Sequence, residues 1–535
     1  MKPLALLCLT VLVSRPGAAQ VRPGNAVGPV IDTVVVTTGR VFTPEQASSF
    51  AFRAANAIHI TTKPWVIRQE LLFAEGDTLD LKLLQESERN LRRLAIFRLV
   101  QLDTLHRDGR FTVLVHTEDA WSTNPIFKIA GSGRSLTLTA GLAERNLLGT
   151  GNFLRAVFFK EVDRTGVELL GNLHRIGRTP LAAGGSFRNL SDGRIGNWQL
   201  GVPYRAFLDT WGVGWGGESG DQRILRFRQD AGAPLDTTFF QRNVLRNRVG
   251  FSLAALHSSD RFLRLGVLAE IRRESYRERL VANPGPPDTT FGAIAAFARY
   301  RRAKFTVGRY WQGFGQQEDL DLSTTAELSI WLAPSAAGYV RTGIGPQVNL
   351  RIGKTMRHGF MVAYLDANGL FTSAGLDSGR VQFRGTIGFK PSERQATFLH
   401  IQAGAQEKPP PGQEFDLGFF FGPRTFGAHA LVGTRMIWGT IEHRVYRWDD
   451  LLGFLGVGFA GFVDYGGAWY PDQEARLSGN FGVGIRIGSG ISSRAASARI
   501  DLGYRFGDGL ANRNRLGIAF GTGFDFFTGR LAGGL

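Results

Sequence analysis

Few residues in this chain have the types and spacing of reaction chemistry, and each reads better as architecture. The stretch GVGWGGES, Gly212 to Ser219, carries the glycines of a phosphate loop, but Trp211, Val213 and Trp215 interleave with them. A phosphate loop needs a helix after its glycines, whereas this alternation is that of a strand. GSGRS at Gly131 lacks the strand-turn-helix setting of a nucleophile elbow. No two histidines stand at the helical spacing that binds zinc. No catalytic residue, metal or other cofactor is therefore expected, and the chain does not read as an enzyme. What remains is charge set among apolar neighbours. Arg424 lies in the Pro-rich run KPPPGQEFDLGFFFGPRTFG, and Asp464 lies in FLGVGFAGFVDYGG. Asp464 shares a face with Gly456, Gly458 and Ala460, opposite Val457, Phe459, Val463 and Tyr465. A guanidinium is never neutral and its donors must be satisfied, so the chemistry on offer is an ion pair between Arg424 and Asp464.

The elements that must position such a pair are strands. In RLGIAFGTGFDF, Leu516, Ile518, Phe520, Phe524 and Phe526 fall on one side, and Arg515, Gly517, Ala519, Gly521, Gly523 and Asp525 on the other. Side chains of a strand alternate faces, so this is one greasy face and one small or charged face. The pattern recurs in NFGVGIRIG, ARIDLGYRF, QVNLRIG, VQFRGTIGF, RLGVLAEI and RVGFSLAAL. Soluble sandwich strands average five or six residues and cover their apolar faces with one another. Here the alternating runs are longer, no helix covers them, and the polar face is rich in Gly and Arg. Strands of about 9 to 11 residues, apolar toward lipid and polar toward a lumen, are what a transmembrane barrel requires. Sixteen to twenty candidates follow Leu136, the short ones near Arg223 reading as loop hairpins, and the expected fold is an all-β barrel of sixteen antiparallel strands over 120–535.

Composition agrees. The 535 residues include 69 glycines, nearly twice average usage, and 43% hydrophobic residues. MKPLALLCLTVLVSRPGAAQ reads as a signal peptide over 1–19, with Lys2, an apolar run from Leu4 to Val13 and small residues before Gln20. Its removal takes the only cysteine, Cys8, and lowers the formal charge from +17 to +15. The remaining arginines stand singly at alternating positions instead of in a patch, so no nucleic-acid partner is expected. No run of about 20 apolar residues follows the leader.

Before the strands lies a small α+β module over 53–119, preceded by an arm or extension over 20–52. IDTVVVTTG is a strand candidate, VIRQELLF a short helix, and LDLKLLQESERNLRRLAIF a second helix. In the second, Leu84, Leu91 and Leu94 make the buried stripe, with Glu86, Glu88, Arg89 and Arg93 on the wet side. FRLVQLDTL and RFTVLVHTE form a hairpin turning at Asp108 and Gly109. Either AIHIT, Ala57 to Thr61, is the first strand and the arm is extra, or the module carries an insertion after Val34.

TKPWVIRQELLFAEGD and ESERNLRRLAIFRLVQL resemble the periplasmic POTRA repeat, and AGLAERNLLGTGNF resembles the barrel entry of the BamA/TamA-type outer-membrane assembly superfamily. That entry carries Glu144, Asn146, Gly149 and Gly151. FVDYGGAWY, ARIDLGYRF and GIAFGTGFDF are similar to the superfamily's late strands. The superfamily's arginine motif, on a loop folded into the lumen, matches Arg424, Thr425 and Phe426, with Thr425 where a glycine is usual. Glu442, in GTIEHRVY, stands where the resemblance places an acid. The resemblance implies an outer-membrane location with the POTRA-like domain in the periplasm, and folding and insertion of β-barrel proteins at a seam between the strands near Leu136 and Leu516. Unfolded outer-membrane proteins and outer-membrane lipid are the implied partners, with periplasmic chaperones or lipoproteins beside them. The alternatives are translocation of polypeptide or lipid through the lumen, and a passive porin.

Overall fold

The computed structural model describes residues 28–39, 41, 59–228, 236–258, 260–278, 287–315, 318–418, 421–451, 455–489, 497–507 and 515–522. The signal peptide, most of the arm, and Phe524 and Phe526 lie outside these residues.

The N-terminal unit is a sheet of three strands with two helices: β1 (Thr33–Gly39), α1 (Pro64–Arg68), α2 (Leu81–Arg93), β2 (Phe97–Arg107) and β3 (Arg110–Asp119). β3 is central, parallel to β1 and antiparallel to β2. The sheet thus includes residues of the 20–52 segment. α2 begins where Asp80 accepts the Lys82 N–H at 2.7 Å, and Arg92 and Arg93 close its last turn, the favourable end for cations. Leu84 and Leu91 pack with Ile31, Val34, Ile67, Val113 and Val115 as the core. Glu86 departs from its expected wet face: it is buried and accepts the Phe207 N–H of a barrel turn at 2.8 Å, because the barrel covers that side of α2.

The remaining strands close into one antiparallel barrel of twenty, which corrects the sixteen expected. The strands near Arg223 account for part of the difference. Trp211–Arg228, Asp236–His257 and Arg261–Glu278 run 18, 22 and 18 residues, far longer than a bilayer needs. Their outer halves carry many charges, so the segment that looked like loop hairpins is the upper part of barrel strands. The first barrel strand is also new: Thr123–Ser132 precedes the strand holding Leu136 and is the one that meets Leu516–Thr522.

Phe127, Val167, Phe187, Val249, Ile271, Ile330, Ile441, Val483 and Leu502 are exposed on the outer wall, while Arg, Glu, Asp and Gly line the inside. A closed barrel with that exterior belongs in a lipid bilayer, since its strands pair their spanning backbone groups with one another. Among the described residues no helix is long and apolar enough to cross a membrane. Two short hairpins enter the lumen. One, Phe305–Gly308 with Glu318–Asp321, follows the tenth barrel strand; the other, Phe415–Leu417 with Leu431–Gly433, follows the fifteenth. Even strands return to the end where the N-terminal unit sits and odd strands leave it, so the two insertions come from opposite ends.

Closure predicts resistance to detergent. The purified chain should give a β-rich circular dichroism spectrum and migrate faster on a gel unboiled than boiled; a helical spectrum, or one mobility in both states, would overturn the barrel.

Candidate functional site

The loop between the fifteenth and sixteenth barrel strands buries Arg424 completely. Its Nε and Nη2 donate to the two oxygens of Asp464 at 2.8 and 2.9 Å, and its backbone N–H donates to Oδ2 at 3.1 Å. Nη1 donates to Glu442 Oε2 at 2.6 Å, Nη2 also to Thr440 Oγ1 at 3.0 Å, and the guanidinium lies 4.0 Å from the centre of the Phe462 ring. The structure therefore brings Arg424, Asp464 and Glu442 together. Asp464 and Glu442 can do this because they sit on adjacent strands, Leu455–Trp469 and Arg435–Leu451, whose register sets Thr440 opposite Asp464.

The pair is part of a larger network that sequence reading missed. Glu442 Oε1 accepts Arg444 Nε at 2.6 Å and Arg486 Nε at 3.2 Å. Arg486 Nη1 reaches Asp501 Oδ1 at 2.6 Å, and Arg499 Nη1 reaches Asp501 Oδ2 at 2.7 Å. Asp501 Oδ2 also lies 3.6 Å from Arg424 Nη1. Four arginines and three carboxylates, all buried, thus share one cluster across four neighbouring strands and the loop. The signal was present, since Arg486, Arg499 and Asp501 fall on the polar face of alternating runs. Which of them meet depends on strand register, and alternation alone carries no register.

Thr425 is buried; its backbone is not in the left-handed region, so a glycine is not needed there. Its N–H faces Asn480 Oδ1 at 3.4 Å, and Asn480 in turn donates to Asp464 at 2.9 Å. Arg505 donates to the Thr425 carbonyl and lies 5.7 Å from the Phe426 ring centre. Phe426 is buried, and the loop runs on to the second barrel strand, where the Ala428 N–H meets Ser135 Oγ at 3.0 Å. Farther along, His429 bridges Asp163 at 2.9 Å and Asp416 at 2.5 Å. Burial works against its charge, but the hydrogen bonds that it donates to Asp163 and Asp416 outweigh it and raise His429 to about 9.

From the other end, the hairpin after the tenth strand seats Tyr310, Trp311 and Phe314 against Phe360, Phe398 and Tyr446. Glu318 holds its tip, accepting N–H groups from Trp311 at 3.0 Å, Gln312 at 2.9 Å and Gly313 at 3.2 Å. The Trp311 carbonyl accepts from Arg444 Nη1 at 3.1 Å and Tyr446 Oη at 2.8 Å. Arg444 thereby links both insertions through Glu442. A Cβ at Gly456 or Gly488 would lie 2.3 or 2.5 Å from the Phe314 ring, so these glycines are the notch that admits it.

The barrel-entry residues meet the N-terminal unit instead of this network. Asn146 Nδ2 donates to Thr62 Oγ1 at 2.8 Å, and its Oδ1 accepts the Gly151 N–H at 2.8 Å. Glu144 accepts from the Asn146 N–H at 2.7 Å and from Thr123 Oγ1 at 2.5 Å. The Lys63 N–H donates to the Gly149 carbonyl at 2.9 Å. Gly149 and Gly151 adopt φ of 71° and 69°, and a Cβ at Gly149 would lie 2.5 Å from the Thr61 carbonyl oxygen. This turn is a socket for α1. Leu516 and Ile518 of the terminal strand point outward and Phe520 is half-buried beside the first strand. Among the described residues no cluster of three or more His, Cys, Asp or Glu forms a metal site.

Two tests follow. Removing Arg424 leaves Asp464 buried without its guanidinium partner and takes one of three arginines from Glu442, a loss of roughly 3–5 kcal/mol for a broken buried pair. Arg424→Ala should therefore lower the temperature of the gel-mobility transition, and Arg424→Lys should recover only part, having no fork to span both Asp464 oxygens. Exchanging the pair, Arg424→Asp with Asp464→Arg, should not restore stability, because each partner also serves the wider network; full recovery would show an isolated pair. The His429 strut has a pH signature: its pKa is raised on folding, so its stabilisation is complete below about 6.5 and fades as pH rises through about 9. Protease cleavage within 408–434 should increase over that window in the native chain and stay flat in His429→Gln.

No family model and no curated protein matches the chain. Among solved structures it is similar to CdiB from Escherichia coli, at 11% identity and TM-score 0.47, covering 96% of this chain and 92% of that one. It is similar also to CdiB from Acinetobacter baumannii, at 11% identity and TM-score 0.45, covering 92% and 73%. BamA from Haemophilus ducreyi lacking POTRA domains 1-3 gives 12% identity and TM-score 0.41, covering 91% and 84%.

Proposed function

We propose that the chain is an outer-membrane assembly factor that folds and inserts β-barrel proteins by strand pairing, with its N-terminal unit a POTRA-like module in the periplasm. The observation that carries this reading is the seam. The first and last barrel strands share two register pairs among the described residues, Ser132 with Ala519 and Gly131 with Phe520. The first and second strands share ten, from Thr123–Glu144 to Ser132–Ser135. A ladder hydrogen bond contributes about 0.5–1.5 kcal/mol net, and among the described residues the seam is held by fewer register pairs than the ladder beside it.

Opening would bare the edge of Thr123–Ser132, where Phe127 is 71% exposed on the outer wall. An incoming strand would add to that edge through backbone hydrogen bonds that ignore sequence, and burial of its lipid-facing side chains would drive the step. Before that, β1 and β2, each paired only with β3 among the described residues, offer sheet edges to an extended client in the periplasm. The partners are then unfolded outer-membrane proteins and lipid, with periplasmic chaperones or lipoproteins supplying the client.

Translocation of polypeptide or lipid through the lumen is the second reading, favoured by the cavity that remains between the N-terminal unit and the early strands. Cysteines at Ser132 and Ala519 separate the two. Past Cys8 the sequence holds no other cysteine, so the pair can be joined selectively. For an assembly factor the oxidised double variant should fail to accelerate insertion of a denatured barrel protein into liposomes, and reductant should restore it. Unchanged insertion with the seam closed would refute the seam mechanism, and loss of one exported client on depletion, with other barrels intact, would favour translocation.

A further inference from the structure

Where α2 faces the barrel, a cavity of about 980 Å³ lies between the N-terminal unit and the inner wall of the early strands. Its volume is that of a site that encloses a ligand. Part of its wall is bare backbone, with Gly201, Gly214 and Gly216 presenting no side chain. Asn90, in the last turn of α2, lines it at 3% exposure, and among the described residues neither its Nδ2 nor its Oδ1 has a hydrogen-bond partner. Buried side-chain amides are nearly always paired, so an amide left with both atoms unmet is a place where something else bonds.

The charges around it narrow the class. Arg205 lines the same cavity; its Nη1 and Nη2 donate to the carbonyls of Pro180 and His174 at 2.8 and 2.9 Å. Its Nε has no partner, and among the described residues no carboxylate lies at ion-pair distance from its side chain. Among the described residues Arg246, also on the wall, has one acid at ion-pair distance, Glu270 at 3.5 Å, which it shares with Arg248, while Glu218 and Glu327 line the wall too. Arginines in excess favour an anionic guest. The acceptors Asn90 Oδ1, Glu218 and Glu327 disfavour a bare phosphate or lipid headgroup, which brings only acceptors of its own. A peptide bond brings one donor and one acceptor, the complement of an asparagine amide, and bare glycine backbone lets an extended chain approach closely.

We infer that this cavity binds an extended, acidic stretch of polypeptide, with Asn90 pairing one of its peptide groups and Arg205 one of its carboxylates. The inference rests on the reading that the chain handles unfolded polypeptide, and it is tested on purified protein, apart from any insertion assay. A fluorescein-labelled peptide of alternating threonine and aspartate should bind the full chain in detergent, with anisotropy reporting the affinity, and its lysine counterpart should bind at least about tenfold more weakly. Asn90→Leu should weaken the aspartate peptide about tenfold while leaving the thermal transition unchanged or raised, since the amide it removes is unpaired. Arg205→Gln should erase the preference for aspartate over lysine. Inorganic phosphate and vesicles of anionic lipid should not displace the peptide. Unchanged affinity in Asn90→Leu, a lowered transition in that variant, a preference for aspartate retained in Arg205→Gln, or displacement by phosphate or lipid would each overturn the assignment. Peptide binding that survives alongside a chain inactive in insertion would keep the cavity's role and reject the assembly reading.

Discussion

A guanidinium buried at membrane depth cannot shed its charge, and the late half of this barrel is arranged around that constraint. Arg424 reaches its acids only if the loop is folded inward and the strands of Glu442, Asp464 and Asp501 stand in one register. A slip by one residue would turn Asp464 toward lipid and Val463 toward the lumen, exchanging a satisfied carboxylate for a desolvated one and an outward valine for a buried clash. The apolar exterior and the charged interior therefore enforce each other. Neither a loop that merely fills space nor a polar wall that merely meets water would impose so strict a register.

The same network divides the lumen. Arg444 carries it from Glu442 to the Trp311 carbonyl, so the insertion from one end and the insertion from the other rest on one side chain. With Phe314 in its glycine notch, the wall of the late strands is packed through its thickness. The early wall is not: a cavity lies against it, bounded below by the N-terminal unit. Among the described residues two register pairs join this packed half to the early wall that borders the cavity.

How much of this was legible in the sequence follows from what alternation encodes. Period two told inside from outside in NFGVGIRIG and ARIDLGYRF, and a loop arginine in need of a partner pointed to Asp464 on the small-residue face of its strand, because both depend on residue type and alternation alone. The strand count did not follow, since the charged outer halves of Trp211–Arg228 and Asp236–His257 have the composition of loops, and their ladder is fixed by partners instead of by burial. The hairpin at Tyr310 to Leu320 escaped for a related reason: an aromatic run with two short strands looks the same whether it lies on a surface or inside a lumen. Glu86 was set on the wet face of α2 because helical period reveals one buried stripe, and here the helix is covered twice, by its own sheet and by a barrel turn.

The joint between the two parts gives the seam a direction. Thr62 and Lys63 grip the turn at Asn146 and Gly149, and Glu144 on the same strand holds Thr123 at the start of the first strand. The N-terminal unit is therefore fastened to the second strand and, through one carboxylate, to the near end of the first. The two seam pairs sit at the opposite end, at Gly131 and Ser132. Between them the first strand runs from Thr123 to Ala130 with a full ladder on one side and no register partner from the last strand on the other among the described residues. Asn146 and Glu144 thus tie the N-terminal unit to the first two strands, on the opposite side of the seam from the strands of the Arg424 network.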